Sequence, residues 1–374
     1  MTLDKIFITK PILPSINLLQ ESISEIWQSG QVTNYGAKHV ALEKKLRSYL
    51  EVANISLFNN GTIALLVALK ALDLPCGSEV ITTPFTFPAT THAIFWNGLK
   101  VIFADIDEKT MCIDANKIES LITKNTSAIL ATHVYGYCCD VEKISKIAKK
   151  HNLKVVYDAA HAFDTKIDGK AVGKYGDITM HSFHATKLFN TIEGGCLVCN
   201  DESLNAKIRL LSNFGIKNEE EVLDCGINGK MNEIQAAIGL LNLDLVAEEK
   251  KKRKVIFDLY QNLLSGIKGL GLMNFDDNHT NSLQYFVTRI DPDISLVTRD
   301  EIFERLKENN IITRKYFYPL CSEYSIYKNI PSSNKANLMV ANKVKREVLC
   351  LPFYGDLPLN KVEEICEIIK KLMI

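Results

Sequence analysis

The most restrictive feature of this sequence is an alternation, repeated over residues 55–200, of short apolar runs with polar turns and amphipathic stretches. It predicts βαβ units, and hence an α/β fold whose largely parallel, seven-stranded sheet carries helices on both faces. The runs interpreted as strands are ISLF, EVITTP, KVIFADI, SAILATHVYG, KVVYDAA, DITMHSF and GCLVC. Ligands of open α/β sheets lie beyond the carboxyl ends of the strands, so polar residues directly after these runs are the candidate site residues.

The pattern changes near residue 231, where one long helical stretch is predicted to continue to about residue 264. Its apolar positions repeat at helical spacing: Ile234, Ile238, Leu241 and Leu245. We expect this stretch to lead from a large domain, residues 1–245, to a small α+β domain, residues 246–374. The small domain should hold a strand at QYFVTRI, helices at TRDEIFERL and before VLCLPF, and a terminal helix at NKVEEICEIIKKLM.

Charge and hydropathy narrow the classes of partner. The 374 residues include 44 Lys+Arg and 44 Asp+Glu, so no net charge would attract nucleic acid or an anionic membrane. No apolar run approaches the roughly 18 residues of a membrane span. The N-terminal apolar runs are broken by Lys10, Pro11 and Pro14, which is untypical of a signal peptide and favours a cytoplasmic protein. The expected partners are small molecules or protein.

Two common site types are disfavoured. The C-x-x-C pair, Cys196 and Cys199, lies in an apparent strand, where residues three apart point to opposite faces. Neither a disulfide nor a shared metal ion suits that geometry, and no metal site is predicted. The sequence also lacks the G-x-G-x-x-G fingerprint of a dinucleotide-binding turn, which argues against a nicotinamide enzyme.

Candidate site residues follow three of the predicted strands. Gly61 and Thr62 open a helix after a strand, where free backbone N–H groups can bind a phosphate, although an ordinary helix cap is the simpler interpretation of this turn taken alone. Asp158 ends a strand and His161 follows it. An N-cap and a turn histidine are the simpler interpretations, whereas an ionised, buried carboxylate would need a cationic partner such as a pyridinium nitrogen.

Lys187 is the third candidate, in HSFHATKLFNTIEGG. Taken alone it is as compatible with a surface lysine as with a desolvated amine suited to Schiff-base chemistry. Together, the three features match pyridoxal 5′-phosphate. The helix start would bind the phosphate, Asp158 would keep the pyridine nitrogen protonated, and Lys187 would hold the cofactor as a Schiff base.

The motifs NNGTIAL, TTPFTFPAT, HVYGYCCDV, YDAAHAFD, SFHATKLFNTIEGG, GINGKMNEIQAAIGLL and TRKYFYPL extend along nearly the whole chain. In these motifs the sequence resembles the DegT/DnrJ/EryC1/StrS sugar aminotransferases. The resemblance implies the type I, aspartate aminotransferase-like pyridoxal-phosphate fold and a homodimer with shared active sites. It assigns the Schiff base to Lys187, the ring nitrogen to Asp158 and a place beside the 3-hydroxyl to His161.

The resemblance also assigns residues that the pattern alone does not. Phe87 would stack on the pyridine ring, although from the residues alone it is predicted to be core. Gly61, Thr62 and Ser182 would bind the phosphate within one subunit. Asn228 would reach the phosphate of the neighbouring subunit's cofactor.

Three motifs, SFHATKLFNTIEGG, INGKMNE and RKYFYPL, are most similar to family members that aminate dTDP-4-keto-6-deoxy-D-glucose with L-glutamate as donor. Amination at C3 of a dTDP-3-keto-6-deoxyhexose, or of a UDP-4-keto sugar, remains open. Lysine rather than histidine at position 187 favours transamination over dehydration. Two other classes are a cofactor-binding regulatory protein and an amino-acid aminotransferase, for which Arg314 would be a carboxylate-binding residue.

Overall fold

The computed structural model describes residues 5–276 and 278–374. Seven strands form the central sheet, in the order β1-β9-β8-β5-β4-β2-β3, and only β9 runs opposite to the others. All seven predicted runs are strands of this sheet, which confirms the α/β class and the largely parallel sheet. These strands are β1 Asn54–Phe58, β2 Glu79–Thr82, β3 Lys100–Phe103, β4 Thr126–Thr132, β5 Lys154–Asp158, β8 Ile178–Ser182 and β9 Gly195–Cys199.

Two three-stranded sheets complete the β-structure, in the orders β10-β12-β13 and β11-β6-β7. Their strands are β6 Lys166–Ile167, β7 Lys170–Ala171, β10 Leu270–Leu272, β11 His279–Thr280, β12 Phe286–Ile290 and β13 Val348–Leu351. The helices are α1 Ile16–Ser29, α2 Ala37–Tyr49, α3 Gly61–Ala71, α4 Pro88–Trp96, α5 Ala115–Ile118, α6 Val141–His151, α7 Glu202–Leu211, α8 Glu233–Leu243, α9 Val246–Leu264, α10 Arg299–Glu308, α11 Met339–Glu347 and α12 Leu359–Met373. None of these described helices is both long and apolar enough to cross a bilayer.

Both faces of the central sheet are buried, because successive residues of each strand alternate between two cores. Ile129 and Val155 pack in one core, whereas their neighbours Leu130 and Val156 pack in the other. The same alternation places Cys196 and Cys199 of β9 in different clusters. The opposite orientation predicted for this cysteine pair is therefore confirmed.

The single helix predicted over residues 231–264 is wrong, because the chain turns between α8 and α9. The amide of Leu245 donates to the carbonyl oxygen of Asn242 (3.0 Å) in this turn. Leu243 and Val246 are buried on either side of it, while Leu245, expected on the apolar face, is 38% exposed. The turn lets α8 pack on α1 and α2 while α9 packs on α12. The apolar residues of two helices with different packing partners thus follow the spacing of one continuous helix.

The C-terminal part has its own core, formed by the sheet β10-β12-β13 with α9, α10 and α12. The strand at QYFVTRI and the three predicted helices are present as β12, α10, α11 and α12. Ile6 also packs in this core and forms a parallel bridge with Ile311. The division at residue 245 stays a prediction.

Candidate active site

The candidate site is a cavity of about 650 Å³ beyond the carboxyl ends of β4, β5 and β8, between the central sheet and the C-terminal part. Residues predicted from four separate stretches meet in it. Seven of the eight predicted site residues line this cavity: Gly61, Thr62, Phe87, Asp158, His161, Ser182 and Lys187.

Asp158 is the buried carboxylate of the site, with 3% of its surface exposed. Oδ2 accepts a hydrogen bond from the Thr90 hydroxyl (2.7 Å), and Oδ1 accepts one from the Ala160 amide (3.0 Å). Burial raises the pKa of Asp158, while these hydrogen bonds and the charge of Lys187 act in the opposite direction. No helix follows Asp158 directly, so it is not an N-cap. The carboxylate is held in place and aimed at the cavity.

Three threonines that the sequence reasoning missed support this carboxylate. The hydroxyl of Thr86 lies 2.8 Å from that of Thr90 and 3.0 Å from that of Thr132. All three residues are buried. Pro88 at the start of α4 was the available signal, because it places Thr90 in the first turn of a helix that begins at the sheet's ligand-binding edge.

Lys187 lies in the segment after β8, and its amine is at the wall of the cavity rather than on the outer surface. Burial lowers its pKa from 10.5 to about 8, and the charge of Asp158 acts in the opposite direction. The amine lies 5.9 Å from the ring centroid of Tyr285. A lysine in this setting loses its proton easily, which is what an amine nucleophile or a general base requires.

His161 is buried among aromatic rings. Its ring is parallel to that of Phe317, with centroids 5.7 Å apart, and meets the edge of Tyr285 at 4.8 Å. Nδ1 accepts a hydrogen bond from the Tyr135 amide (3.3 Å). Burial lowers the pKa of His161 well below its ordinary value, and the charge of Lys187 acts in the same direction. The ring is therefore neutral, with its proton on Nε2.

The first turn of α3 forms the polar end of the cavity. The side chain of Asn60 caps this helix by accepting a hydrogen bond from the Ile63 amide (2.8 Å), so the helix-cap interpretation is also correct. The amides of Gly61 and Thr62 open the helix, where backbone N–H groups have no acceptor within the helix itself. Ser182 at the end of β8 lies beside them: a Cβ on Gly61 would be 3.2 Å from Ser182 Cβ.

The structure explains the second of the two glycines that end HSFHATKLFNTIEGG, Gly195. A Cβ at this position would lie 2.9 Å from both Cα and N of Gly61. Only a glycine lets β9 approach the start of α3 this closely. The segment that carries Lys187 thus also positions the anion-binding turn.

Two of the predicted site residues, Phe87 and Asn228, are more exposed than the buried centre of the site. Phe87 is 55% exposed and lines the cavity, so the interpretation from the residues alone, that it is core, is wrong. It precedes α4 as its N-cap residue, and its ring is left beside the opening. Asn228 lies outside the cavity of its own chain, where its Oδ1 accepts a hydrogen bond from Lys230 Nζ (3.1 Å). Its role toward a neighbouring subunit stays a prediction.

The C-terminal part supplies another wall, made of Tyr285, Arg314, Tyr316 and Phe317. Of these, only Arg314 was considered from the sequence, as a carboxylate-binding residue of an amino-acid aminotransferase. Three of these residues belong to the TRKYFYPL motif, which was noted as a resemblance without a role for each side chain.

The groups that meet in this cavity fit pyridoxal phosphate. A helix start with a nearby hydroxyl suits its phosphate, and a buried carboxylate suits a protonated ring nitrogen. An amine with a lowered pKa suits its aldehyde. A neutral histidine and an exposed aromatic ring complete a pocket with room for a flat ring.

Comparisons with known proteins agree with this chemistry. The model of the DegT/DnrJ/EryC1/StrS aminotransferase family matches residues 16–370. The chain is 44% identical to the dTDP-4-amino-4,6-dideoxy-D-glucose transaminase of Escherichia coli, over 98% of this chain and 97% of that protein. It is 42% identical to the protein of that name from Shigella dysenteriae, over 98% of this chain and 99% of that protein.

Solved structures of aminotransferases have the same fold as this chain. DesI, crystallised in the presence of its TDP-sugar product, has a TM-score of 0.93 at 30% identity, covering 98% of this chain and 92% of that chain. Helicobacter pylori PseC, an aminotransferase involved in the biosynthesis of pseudoaminic acid, has a TM-score of 0.91 at 27% identity, covering 99% of both chains. The type I fold expected from the motifs is confirmed.

Proposed function

The chain belongs to the DegT/DnrJ/EryC1/StrS aminotransferase family, and on that premise we propose that it transfers an amino group from L-glutamate to dTDP-4-keto-6-deoxy-D-glucose. The product is dTDP-4-amino-4,6-dideoxy-D-glucose, and pyridoxal 5′-phosphate is the cofactor. The observation that carries the choice of sugar is the 44% identity, over 98% of the chain, to a transaminase named for that product.

The residues of the cavity would have different roles in this reaction. Gly61, Thr62 and Ser182 would hold the cofactor's phosphate, and Asp158 would hold a proton on its ring nitrogen. When bound, the cofactor supplies an electron-withdrawing ring that stabilises negative charge at the carbon bearing the amine. Lys187 would hold the cofactor through its amine. As a free amine it would move the proton at the amine-bearing carbon, because its pKa of about 8 leaves part of it neutral near pH 7.

We also propose a homodimer in which Asn228 completes the partner's site. Asn228 is exposed and lies outside its own cavity. The stretch before it exposes a series of large apolar side chains, which is typical of a protein interface: Phe214, Ile216, Val222 and Leu223. Light scattering on the purified protein should give twice the mass of one chain. A monomer that retains full activity would contradict this arrangement.

The reaction is tested by offering glutamate with the 4-keto and the 3-keto dTDP sugars separately, and with their UDP counterparts. NMR of the products reports which carbon gains nitrogen. We expect amination of the dTDP-4-keto sugar. Amination at C3, a preference for UDP sugars, or transfer only to pyruvate or oxaloacetate would each replace the proposed substrate with another.

The role of Lys187 has its own spectroscopic test. The purified protein should show a visible absorbance band that borohydride abolishes, and Lys187→Ala should lack this band while retaining the fold by circular dichroism. Lys146→Ala, an exposed lysine on α6, serves as the control and should keep the band. If Lys187→Ala keeps a borohydride-sensitive band, the covalent role belongs to another residue.

A further inference from the structure

Gln284 is a buried glutamine of the C-terminal part whose side chain reaches the segment that carries Lys187. Only 3% of its surface is exposed. Its Oε1 accepts a hydrogen bond from the Leu188 amide (2.6 Å), and its Nε2 donates one to the Thr186 carbonyl (2.8 Å). These two groups belong to the peptide bonds immediately before and after Lys187. One side chain therefore binds both peptide groups that flank the reactive lysine.

The backbone of Lys187 has little other support. Lys187 lies outside the described helices and strands, and its amide donates to the His184 carbonyl (2.8 Å) in a local turn. Within the described ranges, Gln284 is the only hydrogen-bond partner of the Thr186 carbonyl and of the Leu188 amide. Because the planes of two adjacent peptide groups set φ and ψ between them, Gln284 fixes the direction in which the lysine stem leaves the backbone.

The segment that carries this glutamine is itself held on several sides. It leads directly into β12, the central strand of the sheet β10-β12-β13. The Leu283 carbonyl accepts a hydrogen bond from Nη1 of the buried Arg253 (3.1 Å). The Ser282 hydroxyl donates to the His161 carbonyl (2.6 Å). The glutamine is thus attached both to the core of the C-terminal part and to the wall of the cavity.

We propose that Gln284 is a positioning residue, which holds the backbone of Lys187 so that the amine stays within reach of the group it must attack. This inference rests on the proposed function and extends it to a residue outside the cavity lining. A lysine amine lies at the end of a flexible four-carbon stem, so a small rotation of the backbone is magnified at Nζ. A displacement of about 1 Å can slow a reaction about a hundredfold. Gln284 therefore sets the rate at which the amine reacts, and not the affinity of the cavity for the cofactor.

Two substitutions separate the two hydrogen bonds. Gln284→Met keeps the length of the side chain and removes both bonds, whereas Gln284→Glu keeps the acceptor for the Leu188 amide and removes the donor to the Thr186 carbonyl. Gln261→Met is the matched control. Gln261 is a partly buried glutamine of α9 that also donates to a backbone carbonyl, that of Met273 (2.6 Å), and it lies outside the cavity lining.

Three measurements start from the cofactor-free proteins. Hydrogen exchange, read by mass spectrometry on the peptide that contains Leu188, reports the hydrogen bond itself. The growth of the borohydride-sensitive absorbance band at saturating pyridoxal 5′-phosphate gives the rate at which the lysine amine joins the aldehyde, with loss of one water. Pyridoxine 5′-phosphate has an alcohol in place of the aldehyde, so its fluorescence titration gives the affinity of the cavity without a covalent bond.

In Gln284→Met we expect the Leu188 amide to exchange about tenfold faster, as the loss of one hydrogen bond implies. The absorbance band should form about ten- to a hundredfold more slowly, while pyridoxine 5′-phosphate should bind as it does to the wild type. Gln284→Glu should keep the slow exchange of the Leu188 amide and form the band at an intermediate rate. Gln261→Met should match the wild type in all three measurements.

The outcomes separate this inference from the proposed function. If Gln284→Met forms the band at the wild-type rate, the inference is overturned and the proposed function stands. Equal losses in band formation and in pyridoxine 5′-phosphate binding would make Gln284 a general support of the cavity and would overturn the inference as well. If Gln284→Met does not fold, Gln284→Glu decides, and a wild-type rate in that variant rejects the inference. If the expected rates are found but the wild type aminates no keto sugar, the proposed function fails while the positioning of Lys187 stands.

Discussion

The buried amine of Lys187 should make the cofactor-free protein less stable than a variant without it. The pKa of Lys187 falls from 10.5 to about 8, mainly through burial. One pKa unit corresponds to about 1.36 kcal/mol, so holding a charged Lys187 in the folded state costs about 3 kcal/mol. Lys187→Met keeps the length of the apolar stem and removes the charge. We expect it to raise the free energy of unfolding of the cofactor-free protein by about 3 kcal/mol at pH 7.

The expected pH dependence follows from which state loses its proton first. Below about pH 8 the lysine is protonated in both states, and the folded state bears the full cost. Between about pH 8 and 10.5 the folded state has released the proton while the unfolded state still holds it, so the wild type gains stability as the pH rises. The advantage of Lys187→Met should therefore shrink to below about 1 kcal/mol at pH 10.

Urea unfolding of the cofactor-free proteins at pH 7 and pH 10, at one protein concentration, measures both effects. Lys146→Met is the matched control, because Lys146 is exposed on α6. Its unfolding free energy should stay within about 0.5 kcal/mol of the wild type at both pH values. Equal stability of Lys187→Met and wild type at pH 7, or a difference that does not shrink at pH 10, would refute the reasoning.

Two further substitutions probe the support of the cavity. Thr90→Val removes the hydroxyl that donates to Asp158 at 2.7 Å, which should raise the pKa of this carboxyl further and weaken pyridoxal phosphate binding about tenfold. Fluorescence titration measures the affinity for the cofactor. Thr90→Ser should restore binding, and unchanged affinity in Thr90→Val would contradict the supporting role of this hydroxyl. Gly195→Ala puts a Cβ 2.9 Å from the Gly61 backbone and should lower the unfolding free energy by about 1–3 kcal/mol. Gly271→Ala, whose Cβ would come no closer than 3.4 Å to any neighbour, should have a much smaller effect in the same denaturant titration.

Local pattern was sufficient to predict the seven strands of the central sheet and part of the site. The strands are short apolar runs bounded by turns; Asp158 ends one of them, and Lys187 lies in the segment that follows another. Because parallel strands end at one edge of the sheet, residues about thirty positions apart could be placed together. The exposed ring of Phe87 could not be predicted this way, because apolar character alone favours burial.

Residues that approach the cavity from elsewhere in the chain carried no local signal. Tyr285 and Phe317 belong to the C-terminal part, and nothing in their neighbourhood indicates which surface they face. The turn between α8 and α9 was missed for the same reason, since the partners of each helix are set by tertiary packing. Periodicity reports which side of a helix is apolar, not what covers it.

The position of β1 in the sheet has a consequence for synthesis on the ribosome. β1 leads into the phosphate-binding turn, yet it lies at the edge of the sheet beside β9, with Asn54 opposite Cys199. At about 5–20 residues per second, the nascent chain grows for roughly seven to thirty seconds before that partner is made. Until then the edge of β1 is unpaired and available to other chains or to a chaperone. The turn that would anchor the cofactor thus cannot be completed early in synthesis. Cofactor binding must therefore follow the emergence of β9 from the ribosome.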